Sequence, residues 1–109
     1  MILFKSYHVQ PILDGRKTQT RRKGKKRWNV GAVHQAQTGL FEEPFAKLKI
    51  LGVREERLVA ISERDVKAEG YESRGEFFQA WEIIHGGIQP RRSVWVVDFE
   101  LVREEEAPE

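Results

Sequence analysis

The octapeptide Gly15-Arg16-Lys17-Thr18-Gln19-Thr20-Arg21-Arg22 constrains this chain more than any other stretch. Upstream of it, Val9, Ile12 and Leu13 fall at i, i+3 and i+4, the apolar stripe of a short helix. Pro11 suits the first turn of that helix, and Gly15 suits the position just past its end. Downstream, the β-branched threonines favour an extended chain from Thr18 to Arg22. The octapeptide is therefore expected to be a helix-to-strand turn that carries hydroxyls and permanent positive charge. Such a turn suits an anionic, hydrogen-bonding ligand, with nucleic acid or a nucleotide as the obvious class.

The distribution of charge points the same way. Residues 1–27 hold nine Lys/Arg against one acid, Asp14, a balance of +8. Residues 28–109 hold ten Lys/Arg against sixteen Asp/Glu, a balance of −6, so the net charge of +2 conceals a basic end and an acidic remainder. The basic tract Lys23 to Arg27 reads as an electrostatic footprint for a polyanion, with a solvated basic loop as the ordinary alternative. Trp28, next to the tract, either stacks on a base or opens a strand in the core. Arg91-Arg92 either extend the basic surface or flank a strand.

The chain has no cysteine, which excludes disulfides, thiolate zinc sites and cysteine nucleophiles. His8, His34 and His85 show no ligand spacing, so neither a metal site nor a cofactor is expected. His8 reads as a capping or packing residue. No stretch approaches the roughly 20 apolar residues of a membrane helix, and the N-terminus lacks the pattern of a signal peptide. A cytoplasmic protein without a membrane partner is the expectation; oligomeric state is left open.

The length fits one domain, expected over residues 1–103, with a fraying acidic tail over 104–109. Strands are predicted over Met1 to Tyr7, Val30 to Gln37 and Phe45 to Val53, the last either continuing toward Ile61 or bending at Gly52. Ser62 with Asp65 and Ser73 with Glu76 each read as a helix start. The helices they open should stop at Gly70 and at Gly86-Gly87. Phe77, Phe78, Trp81 and Ile84 then form one packed face. Val94 to Val102 is the best strand, with Trp95, Val97, Phe99 and Leu101 on one side. Strands outnumber helices, which predicts an α+β fold built on a small, partly closed sheet or barrel.

Gly15, Lys17 and Arg22, with that order of elements, resemble the ASCH domain family, whose signature is G-x-K-x-x-E-x-R. The resemblance spans about residues 2–102 and implies a small PUA-like mixed β-barrel with flanking helices and a link to RNA. The usual glutamate falls on Thr20 here. That variant resembles the subgroup of small amidohydrolases acting on N4-acetylcytidine, and it implies a catalytic set of Lys17, Thr20 and a glutamate late in the next helix. Glu69 fits that glutamate best, with Glu72 as its rival. Thr20 would be the nucleophile and Lys17 its base, its pKa lowered by burial or by Arg16, Arg21 and Arg22. In a straight strand Lys17 and Thr20 would point to opposite faces, so the chain must bend after Gly15 for them to meet.

The primary expectation is an RNA- or nucleotide-binding protein whose cleft is lined by Gly15, Arg16, Arg21, Arg22 and Trp28. The alternatives are an amidohydrolase on a modified nucleoside and a ribonuclease. Arg22 binds phosphate or closes an internal salt bridge to the barrel; both readings stay open at this stage.

Overall fold

The computed structural model describes residues 1–103. The tail 104–109, expected to fray, lies outside the described residues. The elements are β1 (Ile2–Leu3), α1 (Val9–Leu13), β2 (Gln19–Arg22), β3 (Val33–Gln37), β4 (Ala46–Arg57), α2 (Glu63–Ala68), α3 (Arg74–His85) and β5 (Ser93–Leu101). Short 3-10 turns lie at Ser6–His8 and Leu58–Ala60.

The strands form one five-stranded sheet in the order β1-β3-β4-β5-β2. Every neighbouring pair is antiparallel except β1 and β3, which run parallel. The α+β expectation holds, in the form of a sheet that curls without closing, so β1 and β2 remain its edges. Strand β4 does continue past Gly52, with an irregularity in pairing to β5 between Ile50 and Gly52. Gly52 lies opposite Asp98, where an added Cβ would stand 3.5 Å from the Asp98 carboxylate.

β5 serves two cores at once because successive side chains point to opposite faces. Val97 and Phe99 join Ile2, Phe4, Ile12, Trp28, Ala36, Leu48 and Ile50 inside the curl. Val94, on the other face, packs with Leu58, Ile61, Val66, Phe77 and Trp81 under α2 and α3. Both helices start as their sequences predict: Ser62 Oγ accepts from the Asp65 N–H and Ser73 Oγ from the Glu76 N–H, both at 3.1 Å. α3 ends on Gly86 in the left-handed region at φ 76°.

Two boundaries and one burial differ from expectation. β1 spans only Ile2–Leu3, because its partner β3 ends at Gln37 and the chain then turns through Ser6–His8 into α1. β3 begins at Val33, since Ala32 N–H bonds back to Asn29 and Gly31 sits at φ 91°, making a turn of the preceding residues. Ile84 is exposed and lies off the packed face of α3, which Phe77 and Trp81 carry.

Candidate functional site

The octapeptide does form the helix-to-strand turn. Gly15 adopts φ 79°, open to glycine at little cost, and Arg16 and Lys17 N–H both donate to Pro11 O. Thr18 N–H then donates to Ala68 O at 2.8 Å, which ties the entry to β2 to the last turn of α2. That one bond brings Lys17 against Glu69.

Lys17 is only 2% exposed. Its Nζ donates to Glu69 Oε1 at 3.0 Å, to Glu69 O at 2.7 Å and to Gln19 O at 2.9 Å. All three ammonium protons are therefore used. Burial pushes the Lys17 pKa below the ordinary lysine value; the Glu69 carboxylate opposes this, and the charges of Arg22 and Arg21 add to it. Glu72, the rival acid, is exposed and away from the pair, its N–H donating to Glu76. Glu69 is the acid that meets Lys17.

Arg21 is buried and faces acids rather than a cleft. It bonds Glu69 Oε2 at 3.1 Å, Glu56 Oε1 at 3.0 Å and Asp65 Oδ2 at 3.3 Å, and it also donates to Gln19 Oε1. Gln19 Nε2 passes to Asp98 at 2.7 Å, and Arg54 joins Asp98 to Asp65. The result is a ring of ion pairs on one face of β2. Arg16 is exposed and held by Asp14 at 2.9 Å.

The register puts Thr20 opposite Val97 and Arg22 opposite Trp95, on the other face of β2 from Gln19 and Arg21. Thr20 is buried, and its Oγ1 accepts from Arg22 Nε at 3.0 Å. Arg22 Nη2 donates to Leu3 O at 2.7 Å. One side chain thus bridges β2 to β1, the two open edges of the sheet, and closes the curl where no backbone ladder does. The Arg22 bonds are internal, as one of its two readings had it, but they go to a hydroxyl and a carbonyl and form no salt bridge among the described residues.

Phe4 sits under this seam. The Arg22 guanidinium lies 5.0 Å and Lys17 Nζ 5.9 Å from its ring centroid. Lys17 and Arg22, the partner of Thr20, thus share the Phe4 ring, yet among the described residues no hydrogen bond joins Lys17 to Thr20. The strand parity is the reason: Lys17 lies with Gln19 and Arg21 on the face that meets Glu69, and Thr20 lies with Arg22 on the other, so the turn at Gly15 does not bring Lys17 and Thr20 together.

Trp28 is 7% exposed and belongs to the larger core rather than to a cleft wall, the core reading of the two its sequence left open. A different set of rings flanks Lys17. His8 is buried, packs edge-on to Phe4, Tyr7 and Tyr71, and its Nε2 has no hydrogen-bond partner among the described residues. Burial, with Lys17 and Arg22 beside it, lowers the His8 pKa to about 3. Tyr7 and Tyr71 share a hydrogen bond of 3.0 Å, and burial raises the Tyr71 pKa. Gly70, at φ 96°, lets the chain pass: a Cβ there would meet Lys17 and His8 at 3.5–3.7 Å. Tyr71 follows the helix-ending Gly70 and was legible only as a loop aromatic.

Solved structures now give the arrangement its relatives in space. The crystal structure of an ASCH domain from Lactobacillus crispatus JV V101 superposes with a TM-score of 0.73 at 18% identity, covering 87% of this chain and 70% of that one. The fold is the ASCH-domain fold. Protein EF3133 from Enterococcus faecalis V583 matches with a TM-score of 0.65 at 20% identity, over 93% of this chain and 76% of that one. The hypothetical protein PH0355 matches with a TM-score of 0.71 at 14% identity, over 93% and 96%. No protein-family model matches the sequence, and neither does any curated protein. At these identities the ASCH likeness is one of fold alone. Among the described residues, no helix is long and apolar enough to cross a membrane.

Proposed function

We propose that this chain binds RNA or a nucleotide, and that the grip lies in the loop after the turn rather than in the turn itself. Three of the four cations of the octapeptide are committed internally, Lys17 and Arg21 to acids and Arg22 to the seam, and the exposed Arg16 is paired with Asp14. Lys23, Lys25, Lys26 and Arg27 form no ion pair among the described residues. This uncompensated tract is the observation that carries the reading, because unpaired cations on one loop attract a polyanion. The loop is also held in place: Trp95 Nε1 donates to Gly24 O at 3.0 Å, and Lys26 Nζ lies 6.0 Å above the Trp95 ring. Fluorescence anisotropy with a labelled single-stranded RNA tests it. Binding at low salt is expected, and its absence there contradicts the proposal.

The pairing of Lys17 with Glu69 supports a second reading, a hydrolase that removes the acyl group of N4-acetylcytidine. Thr20 Oγ would attack the acetyl carbonyl and the bond to N4 would break, releasing cytidine once N4 takes up a proton. Water would then hydrolyse the acyl-threonine to acetate. Lys17, its pKa lowered by burial, would serve as the base only after giving up a proton and turning from Glu69 toward Thr20. Incubating the protein with N4-acetylcytidine and following cytidine release decides it, with Thr20→Val as the comparator. Turnover that Thr20→Val loses supports the reading; no turnover, or equal turnover by the variant, sinks it.

A further inference from the structure

A second basic feature lies apart from the Lys17 and Glu69 pair. Where α3 ends, Gly86-Gly87 turn the chain back toward β5, and a cleft of about 110 Å³ opens there. Lys23, Trp81, His85, Gly87, Ile88 and Arg92 are among its walls. Trp81 is buried and stacks on His85 with ring centroids 4.0 Å apart, which fixes the imidazole. Arg92 Nε is spent on Gln89 Oε1 at 2.7 Å, an anchor that leaves its terminal nitrogens without a partner among the described residues. Lys23 and Arg92 have no acid partner among the described residues. The Gly87 and Ile88 N–H groups donate no hydrogen bond among the described residues either.

We infer that this cleft binds a phosphate group, held by Lys23, His85, Arg92 and the Gly87 and Ile88 amides. The chemistry is direct. A cleft lined by Lys23, His85 and Arg92 with no acid among its walls carries a positive field that a small oxyanion neutralises, and guanidinium nitrogens match phosphate oxygens well. The site rests on its own geometry, and only the source of the phosphate rests on the RNA or nucleotide reading above. The charged groups around His85 are Lys23, Arg22, Arg92 and Lys5, and they add to burial in lowering its pKa. On its own helix the nearest acid, Glu82, is exposed. A bound phosphate reverses that field, so His85 takes up a proton as the anion enters.

The test is an NMR titration of the whole chain with inorganic phosphate at constant ionic strength, read at the His85 imidazole and the Trp81 indole. Saturable shifts are expected, with the His85 titration midpoint moving upward. Lys23→Gln with Arg92→Gln should weaken binding at least about tenfold at unchanged Tm, since one lost charge-assisted contact is worth that much. A 5′-phosphorylated tetranucleotide and its unphosphorylated counterpart then separate the sources. Saturable shifts with both assign a backbone phosphodiester, and shifts with the phosphorylated one alone assign a terminal phosphate. No saturable shift with inorganic phosphate, or shifts that persist in the double variant, overturns the inference. RNA binding that survives such a result would leave the proposed function standing.

Discussion

Lys17 Nζ lies 3.0 Å from Glu69 Oε1 and 2.7 Å from the carbonyl oxygen of the same glutamate, across 52 residues of chain. Both side chains are nearly closed to solvent, at 1% and 5% exposure. Breaking such a pair from one side leaves a buried charge short of its partner, which costs about 3–5 kcal/mol. Lys17→Met should fall at the low end, because Arg21 still reaches Glu69. Glu69→Gln should cost more, because it strips both cations of the same acid. A double-mutant cycle in urea should give a coupling of at least about 1 kcal/mol; a coupling near zero contradicts the pair. The same cost makes Thr20 a cleaner probe of catalysis than Lys17.

Arg22 closes the curl by bonding Thr20 Oγ1 and Leu3 O at once. Lysine keeps the charge but offers one compact ammonium in place of a planar fork, so it cannot span both acceptors. Arg22→Lys should destabilise by about 1–2 kcal/mol. The loss should be local, with faster hydrogen exchange at the amides of Ile2, Leu3 and Phe4. Unchanged exchange in β1 would show that the seam is held by something else.

His8 is neutral and buried in the fold, with its pKa lowered from 6.5 to about 3. Between those values the unfolded chain binds a proton that the folded chain does not. The contribution of His8 is fully present above pH 6.5 and is lost as pH falls toward 3. The slope is at most about 1.4 kcal/mol per pH unit, and less where water reaches the ring. His8→Phe should flatten this limb: the variant's stability relative to the native chain should improve from pH 7 to pH 4. A constant difference across that range would contradict the assignment.

Much of this was legible in the residues, for identifiable reasons. The helix before Gly15, the caps at Ser62 and Ser73 and the stop at Gly86 are local events, set by one or two side chains and a backbone angle. The two-faced burial of β5 was half visible: alternation showed Trp95 to Leu101, but Val94 faces a second core that depends on where α2 and α3 land. Lys17 and Glu69 were legible as a pair only through family likeness, since their meeting depends on the bond from Thr18 to Ala68. Charge misled at Arg21. A cation in a basic run reads as surface, whereas Glu56, Asp65 and Glu69 surround this one from distant segments. Trp28 reads equally as stack or core, and only the packing of Ile12, Ile50 and Phe99 around it decides for core.

The proposed function requires that RNA be held by the uncompensated loop beyond the turn. The direct measurement is the salt dependence of binding to a single-stranded RNA, for the native chain and for Lys25→Gln, Lys26→Gln, Arg27→Gln together. Each phosphate contact on a single strand contributes about 0.7 to the slope of log K against log salt, so losing three should flatten it by about 2. Tm should not change, because these side chains are exposed and form no ion pair among the described residues. Affinity that ignores salt, or a slope the triple variant leaves unchanged, would contradict the claim.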